Sequence, residues 1–225
     1  MTYDRRAFLL QTGAGLALAA ATATTAAPAA AATPLDANGA LSELMAGNAR
    51  FVSDKAVCPP LTARRLELAE GQSPFAIIVS CSDSRVPVET VFDQIPGNIF
   101  GIRIAGNFMD RGGVGSIEYA VAVLKSPLIL VLGHSECGAV KAALAYAKNP
   151  SATQPGDIQY LVESIAPGIK NATSSLHDAI AANVRVEMHR IQTMSTIVSD
   201  AVTAGKVKVA GGVYDLHSGH VTLLS

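Results

Sequence analysis

The stretch FAIIVSCSDSR, residues 75–85, is an uninterrupted apolar run that ends abruptly in a cysteine, an aspartate and an arginine. A second stretch, PLILVLGHSEC at residues 127–137, ends in the same way with a histidine and a cysteine. Short continuous apolar runs predict strands of a parallel sheet that is covered on both faces. In open parallel sheets, binding sites gather beyond the carboxyl ends of the strands. We therefore expect the polar residues of the two stretches to meet at one edge of a sheet.

These two stretches supply soft and borderline metal donors. Cys81 follows the first strand, and His134 and Cys137 follow the second. Thiolate sulfur and imidazole nitrogen form the donor mixture that Zn²⁺ prefers, and three protein ligands leave a fourth tetrahedral position for a reacting group. The His-x-x-Cys spacing predicts two donors one helical turn apart, with the cysteine in the first turn of a helix. The sequence therefore predicts a zinc enzyme.

Asp83 and Arg85 flank the first predicted ligand and allow two arrangements. In one, Asp83 points at the metal as a fourth ligand. In the other, it pairs with Arg85, which can hold a carboxylate through two parallel hydrogen bonds, and it then accepts a hydrogen bond from the zinc-bound hydroxide. The residues alone leave both arrangements open.

Strands and helices alternate along the rest of the chain, which predicts one α/β domain with a mainly parallel sheet flanked by helices. The last two strands could run antiparallel at an edge. The predicted helices cover residues 41–52, 61–70, 87–91, 116–124, 138–148, 161–166 and 174–204, and the predicted strands cover residues 75–80, 99–104, 127–132, 207–214 and 221–224. Residues 105–115 are predicted to be a loop because Gly106-Asn107 and Gly112-Gly113 mark turns.

The first predicted helix carries apolar residues at helical spacing, with Asp36 or Asn38 available as its N-cap. It could be an N-terminal helical arm that packs on a partner subunit, or an ordinary helix that faces its own core. The pattern does not separate the two.

The 225 residues are 49% hydrophobic and 16% charged, a composition that suits a well-buried sheet. The 17 basic and 18 acidic side chains give a formal net charge of -1. This balance gives no excess of basic residues of the kind that binds nucleic acid, and it indicates no polybasic patch for a membrane surface.

Residues 1–32 are predicted to be an export signal rather than part of the fold. Arg5 and Arg6 precede a weakly apolar stretch rich in Ala, Thr and Gly, which resembles a twin-arginine signal. An ordinary secretory signal or a membrane anchor is the alternative, but Gly, Thr and Pro dilute the stretch that would have to span a bilayer. We expect export to the periplasm, with residues 33–225 as the mature catalytic domain and no stable membrane anchor.

The motifs together resemble the β-class carbonic anhydrases. The resemblance is carried by GQSP at 71–74, CSDSRVP at 81–87, RIAGN at 103–107, GSIEYA at 115–120 and GHSECGA at 133–139. The segments GNARF at 47–51 and GVYDL at 212–216 are similar to the family's flanks. The resemblance thus covers nearly the whole chain after residue 33.

The resemblance implies the reversible hydration of CO₂ to bicarbonate and a proton, by zinc-bound hydroxide on a Zn²⁺ ion held by Cys81, His134 and Cys137. Asp83 and Arg85 match the family's dyad, which orients the hydroxide. The dyad exchanges with a closed state in which the aspartate is the fourth zinc ligand.

The resemblance also implies an assembly. Gln72 matches a glutamine that hydrogen-bonds the substrate, often across a dimer interface. The chain is therefore expected to form a homodimer or a higher oligomer of dimers, with the helix at residues 41–51 lying on the neighbouring subunit.

Two other functions share these residues. The same fold and metal could hydrolyse carbonyl sulfide or carbon disulfide, or the chain could be a non-catalytic zinc-bound bicarbonate sensor with Asp83 fixed on the metal. A disulfide between Cys81 and Cys137 is a further alternative to the metal, although the intervening His134 favours the metal. Cys58 has no ligand spacing and is expected to be a free thiol.

Overall fold

The computed structural model describes residues 35–57, 61–151, 153–172 and 175–225. The predicted export signal at residues 1–32 and the predicted free thiol of Cys58 lie outside these residues. In the described part of the chain, no helix is both long and apolar enough to cross a bilayer.

Eight α-helices and five strands alternate along the described residues. The helices are α1 Ala37–Val52, α2 Leu61–Leu68, α3 Val88–Val91, α4 Arg111–Ala122, α5 Gly138–Lys148, α6 Ile158–Ile169, α7 Leu176–Met194 and α8 Thr196–Thr203. The strands are β1 Ala76–Ser80, β2 Ile99–Arg103, β3 Leu128–His134, β4 Lys208–Tyr214 and β5 Val221–Leu223.

The five strands form one sheet in the order β2-β1-β3-β4-β5. The first four strands run parallel, and only β5 pairs antiparallel with its neighbour β4, at the sheet's edge. The prediction of a mainly parallel sheet with an antiparallel end is therefore confirmed. β1 and β3 are neighbours in the middle, so the two predicted site stretches lie side by side.

Helices cover both faces of this sheet. β1 and β3 are buried at every residue, as the continuous apolar runs predict. Alternate residues of each strand point to opposite faces, so Ile77 and Val131 pack with α4 to α8, whereas Ile78 and Leu130 pack on the side of α1 and α3. The core thus has two layers, one on each side of the sheet.

α1 packs on its own chain. Asp36 caps it by accepting from the Gly39 N–H at 2.7 Å, and Leu44 is fully buried. The Asn48 amide donates to the Val91 carbonyl at 3.0 Å and to the Gly219 carbonyl at 2.8 Å, tying the helix to α3 and to the turn before β5. This face follows the core-facing alternative, and contact of its exposed face with a partner subunit stays a prediction.

The bounds of several helices differ from the predictions, and α1 begins at Ala37 rather than at residue 41. α4 begins at Arg111, inside the predicted loop, because the Asp110 carboxylate accepts from the Gly113 N–H and caps a helix whose first turn contains the glycine pair. The predicted long helix at residues 174–204 is two helices, since Ser195 is extended and caps α8. α6 runs from residue 158 to 169 and carries Pro167 in its last turn.

Candidate metal centre

Two neighbouring strands deliver the site residues. β1 and β3 are in register, with Ser80 opposite Leu132, so the residues that follow both strands leave the sheet at the same edge. Cys81 comes directly after β1, and His134 is the last residue of β3. Parallel pairing of adjacent strands thus brings together residues that are far apart in the sequence.

Cys81, His134 and Cys137 form a buried cluster, called here the Cys-His-Cys cluster. Their two sulfurs and one imidazole nitrogen all lie within 4.8 Å of one another. Cys81 is 5% exposed, His134 0% and Cys137 1%. Both thiols are free, so the alternative of a disulfide does not hold.

The imidazole of His134 presents an unused nitrogen. Its Nδ1 lies 2.9 Å from the Ser135 carbonyl oxygen, so this nitrogen carries the proton and donates it to that oxygen. Nε2 is buried, and no group in the described residues hydrogen-bonds to it. A buried lone pair without a donor costs free energy unless another group meets it. A metal ion between the three donor atoms would meet this requirement, so the cluster fits Zn²⁺.

The two thiols of the cluster differ in how readily they lose a proton. The Cys137 thiol hydrogen-bonds to the Cys81 sulfur, which holds the pKa of Cys81 well below its ordinary value. The same contact, together with burial, raises the pKa of Cys137. One sulfur of the pair is therefore readily a thiolate, which is the form that binds metal ions.

The turn between the second and third donors differs from the prediction. The His-x-x-Cys spacing predicts two donors on one helical turn, but His134 ends β3 and Cys137 is the extended N-cap residue of α5. Glu136 makes the turn between them with a left-handed φ of 57°. The donors converge because strand and helix meet at this turn, not through helical spacing.

Asp83 faces Arg85. The Arg85 guanidinium donates from Nε to Oδ1 at 2.9 Å and from its terminal nitrogen to Oδ2 at 2.7 Å. This fork lowers the pKa of the Asp83 carboxyl below its usual range. Asp83 Oδ2 lies 3.9 Å from His134 Nε2, so the carboxylate borders the cluster without belonging to it. Of the two arrangements left open by the sequence, the structure has the one paired with arginine.

Arg103, at the end of β2, holds the backbone around Asp83. It donates to the Cys81 carbonyl at 3.2 Å and to the Asp83 carbonyl at 2.6 Å. Its position at the end of a strand beside β1 is the sequence signal that could have suggested this role. The loop after β1 is thus fixed from the neighbouring strand.

Gln72 lies away from the cluster of its own chain. It is exposed and precedes the amino end of β1, whereas Cys81 follows the carboxyl end. The five residues of β1 alone span about 17 Å at about 3.3 Å each. Gln72 can therefore serve a site only in a neighbouring subunit, and its substrate-binding role stays a prediction.

Three residues of α7 that the sequence reasoning missed reach the turn beside the cluster. Asn183, Glu187 and Arg190 contact residues 106–109, and the Gly106 N–H donates to the Cys81 sulfur at 3.3 Å. The available signal was polar residues at i, i+4 and i+7 inside a helix whose other inward positions are apolar.

A cavity between α4 and α8 lies away from the Cys-His-Cys cluster. The cavity has a volume of about 500 Å³ and is lined mostly by apolar side chains beside Lys125, Asp200 and Lys206. It borders the amino ends of β3 and β4, which is the opposite edge of the sheet. The donor chemistry, rather than cavity size, identifies the site.

Known proteins share both the fold and the cluster region. Residues 76–221 match the family model described as carbonic anhydrase. A carbonic anhydrase of Mycolicibacterium smegmatis is 40% identical over 184 residues, which are 80% of this chain and 89% of the relative. The solved structure of the β-carbonic anhydrase CcaA has a TM-score of 0.65 at 25% identity and covers 82% of this chain and 87% of its own.

A third similarity is to a chain from the structures of two tetrameric β-carbonic anhydrases of Sordaria macrospora. It has a TM-score of 0.61 at 26% identity and covers 82% of this chain and 96% of that one. The region matched by the family model contains β1 to β4 and the first residue of β5, Val221. It also contains all three residues of the Cys-His-Cys cluster.

Proposed function

The chain belongs to the carbonic anhydrase family and has the fold of its β class, so we propose that it hydrates carbon dioxide reversibly to bicarbonate and a proton. The observation that carries the proposal is the buried Cys-His-Cys cluster at the carboxyl ends of β1 and β3. Within the described residues, its His134 Nε2 has no hydrogen-bond partner and is available to a metal ion.

Cys81, His134 and Cys137 would hold a zinc ion. Two sulfurs and one nitrogen form a donor set that zinc uses in catalytic sites, and the hydrogen bond from Nδ1 to Ser135 leaves Nε2 free to be a ligand. When bound, zinc lowers the pKa of water to about 7 and so supplies a nucleophile at neutral pH.

Asp83 would orient the nucleophile, with Arg85 as its partner. The fork from Arg85 keeps the carboxylate ionised and turned toward the guanidinium, so that it can accept a hydrogen bond from the attacking group. The 3.9 Å between Oδ2 and His134 Nε2 supports the alternative closed state, in which Asp83 leaves Arg85 and becomes the fourth ligand. A bicarbonate sensor would need that closed state at all times, and the observed fork with Arg85 counts against it.

The active assembly would be a homodimer or an oligomer of dimers. Gln72 is exposed and lies beyond the amino end of β1, so a neighbouring subunit must bring it to a substrate. The similar β-carbonic anhydrases of Sordaria macrospora are tetrameric. Both observations support a shared site between subunits.

The catalytic domain, residues 33–225, would act in the periplasm after removal of residues 1–32. The paired Arg5 and Arg6 support the twin-arginine route, which carries folded proteins. Replacing both arginines with lysine should leave uncleaved precursor in the cytoplasm, measured by cell fractionation and the mass of the mature protein. Undiminished export of the doubly substituted chain would point to the ordinary secretory route instead.

The test of the proposed function is stopped-flow CO₂ hydration by the mature, zinc-quantified protein from about pH 6.5 to about pH 9. Cys81→Ala should lose both zinc and activity, because it removes a donor atom. Asp83→Asn should keep zinc but lower kcat/KM by about 10²-fold or more, because it removes the charged acceptor.

Two results would contradict this proposal. A wild-type protein with one zinc per chain and no hydration at any pH would leave carbonyl sulfide or carbon disulfide as the substrate to assay. Loss of zinc in Asp83→Asn would instead make Asp83 an obligate ligand.

A further inference from the structure

A stripe of polar side chains runs along the buried face of α7. Asn183, Glu187 and Arg190 stand at i, i+4 and i+7, so they lie above one another on the same side of the helix. Asn183 and Glu187 are almost completely buried, and Arg190 is partly buried. Polar groups at such positions cost free energy unless they make specific hydrogen bonds.

All three side chains contact one short segment, residues 105–109, called here the 105–109 turn. The Asn183 amide donates to the Gly106 carbonyl at 2.8 Å, and a Glu187 carboxylate oxygen accepts from the Met109 N–H at 3.0 Å. The Arg190 guanidinium lies 4.8 Å from the centroid of the Phe108 ring. One helix face thus contacts three separate residues of the turn.

The turn needs such contacts because its backbone is unusual. Gly106 and Asn107 have left-handed φ values of 70° and 45°. A Cβ atom at Gly106 would lie 2.7 Å from the terminal methyl of Ile165 and 3.1 Å from the Ala139 Cβ, so any other residue would have to displace Ile165 and adopt a left-handed φ. Asn107 is not glycine and adopts this conformation at a cost that its surroundings must offset.

The 105–109 turn also contacts the metal centre. The Gly106 N–H donates to the Cys81 sulfur at 3.3 Å, and the Asn183 amide binds the carbonyl of the same glycine. The N–H and the carbonyl of Gly106 lie in adjacent peptide planes joined at its Cα, so Asn183 restrains the N–H through the backbone of that residue, and Glu187 restrains the far end of the turn at Met109. A hydrogen bond of this kind fixes the sulfur and withdraws electron density from it.

Burying the Glu187 carboxyl costs free energy that an apolar side chain at this position would not cost. Its burial raises the pKa of the carboxyl to about 7, against the attraction of Arg190. The Arg190 Nε lies 3.2 Å from Oε1 as an ion pair, but within the described residues this oxygen has no hydrogen-bond partner. The hydrogen bond that the carboxylate accepts within the described residues comes from the Met109 N–H, to Oε2, beside its ion pair with Arg190.

We propose that Asn183 and Glu187 are positioning residues for the Cys81 sulfur, acting through the 105–109 turn and the Gly106 N–H. The inference rests on the proposed zinc site and adds the second layer of contacts that keeps one of its sulfurs in place. The residues would act on the metal centre without touching it.

The test uses the mature chain loaded with Co²⁺, whose sulfur-to-cobalt charge-transfer band reports on the bound thiolates. Asn183→Ala and Glu187→Met remove the contacts to the turn, so the band should move to longer wavelength, and zinc affinity measured by chelator competition should fall about tenfold. Glu187→Gln keeps an oxygen acceptor for the Met109 N–H and should retain the wild-type band. Ile191→Ala, on the same helix, is the control: it should lower the midpoint of thermal unfolding but leave the band in place.

Two results would overturn the inference: an unchanged band and affinity in Asn183→Ala and Glu187→Met, or an equal shift in Ile191→Ala. If Asn183→Ala does not fold, the pair Glu187→Met and Glu187→Gln decides alone. Failure of the wild-type protein to show any thiolate band would overturn the zinc site itself. If the wild-type protein shows the band and the variants leave it unchanged, the zinc site stands and only the positioning role is overturned.

Discussion

Glu187 is a carboxylate with almost no contact with water. Burial raises its pKa from 4.5 to about 7. Below pH 4.5 the carboxyl is protonated in both the folded and the unfolded chain. Between the two pKa values the folded chain keeps the proton while the unfolded chain loses it. Stability from this group is therefore present at low pH and is lost as the pH rises through about 7.

We expect Glu187→Gln to remove this pH dependence, because glutamine does not ionise. The free energy of unfolding of the variant, minus that of the wild type, should increase by about 3 kcal/mol from about pH 4.5 to about pH 8. Urea unfolding of both proteins at each pH measures it, and the contributions of all other titrating groups cancel in the difference. Parallel curves for the two proteins would mean that Glu187 titrates normally.

At the residue scale, the clustering of Cys81, His134 and Cys137 could be predicted, because their side-chain chemistry is visible in the sequence and each follows or ends an apolar run. The contacts of Asn183 and Glu187 could not, because a polar stripe on a helix has meaning only once its partner is known. That partner, the 105–109 turn, lies far away in the sequence.

At the scale of elements, the contact between β3 and α7 is unusually close. A Cβ atom on Gly133 would lie 2.7 Å from a Val184 methyl and 3.1 Å from an Ile180 methyl. The helix can approach the strand only where a side chain is missing. Gly133 therefore brings α7 close enough for its polar stripe to reach the turn beside the Cys-His-Cys cluster.

We expect Gly133→Ala to lower the free energy of unfolding by about 1–3 kcal/mol, because α7 must move off β3. The matched control is Gly138→Ala, at the exposed first residue of α5, where a Cβ atom meets nothing within 4 Å. That variant should stay within about 0.5 kcal/mol of the wild type. Equal stability of the two variants in urea unfolding would mean that α7 accommodates the methyl group without loss.

The sequence predicted the bounds of an element well where continuous burial sets them, and poorly where one capping residue sets them. β1 and β3 are continuous apolar runs and could be placed closely. The start of α4 depends on Asp110, which overrides the turn preference of the glycines after it. The break between α7 and α8 depends on Ser195, whose hydroxyl donates to Glu118 of another helix at 2.6 Å. Such long-range partners leave no local signal.

At the scale of the whole molecule, the position of Gln72 predicts that activity depends on assembly. We expect sedimentation velocity to give a particle of two chains, or of a multiple of two, for the active mature protein. Gln72→Ala should lower kcat/KM while zinc content and particle mass stay unchanged, since the residue is exposed in its own chain. A fully active single chain would remove the basis for a shared site.

The strand order also has a consequence for how the protein is made. β3 pairs with β1, which leaves the ribosome before it, and with β4, which is synthesised only after α5 to α8. Pairings between distant segments form slowly, and an unpaired apolar strand edge invites association with other chains. A nascent chain therefore carries the open edge of β3 through much of its synthesis. β4, which is translated after α5 to α8, is the strand that covers this edge of β3 and shields it from other nascent chains on the polysome.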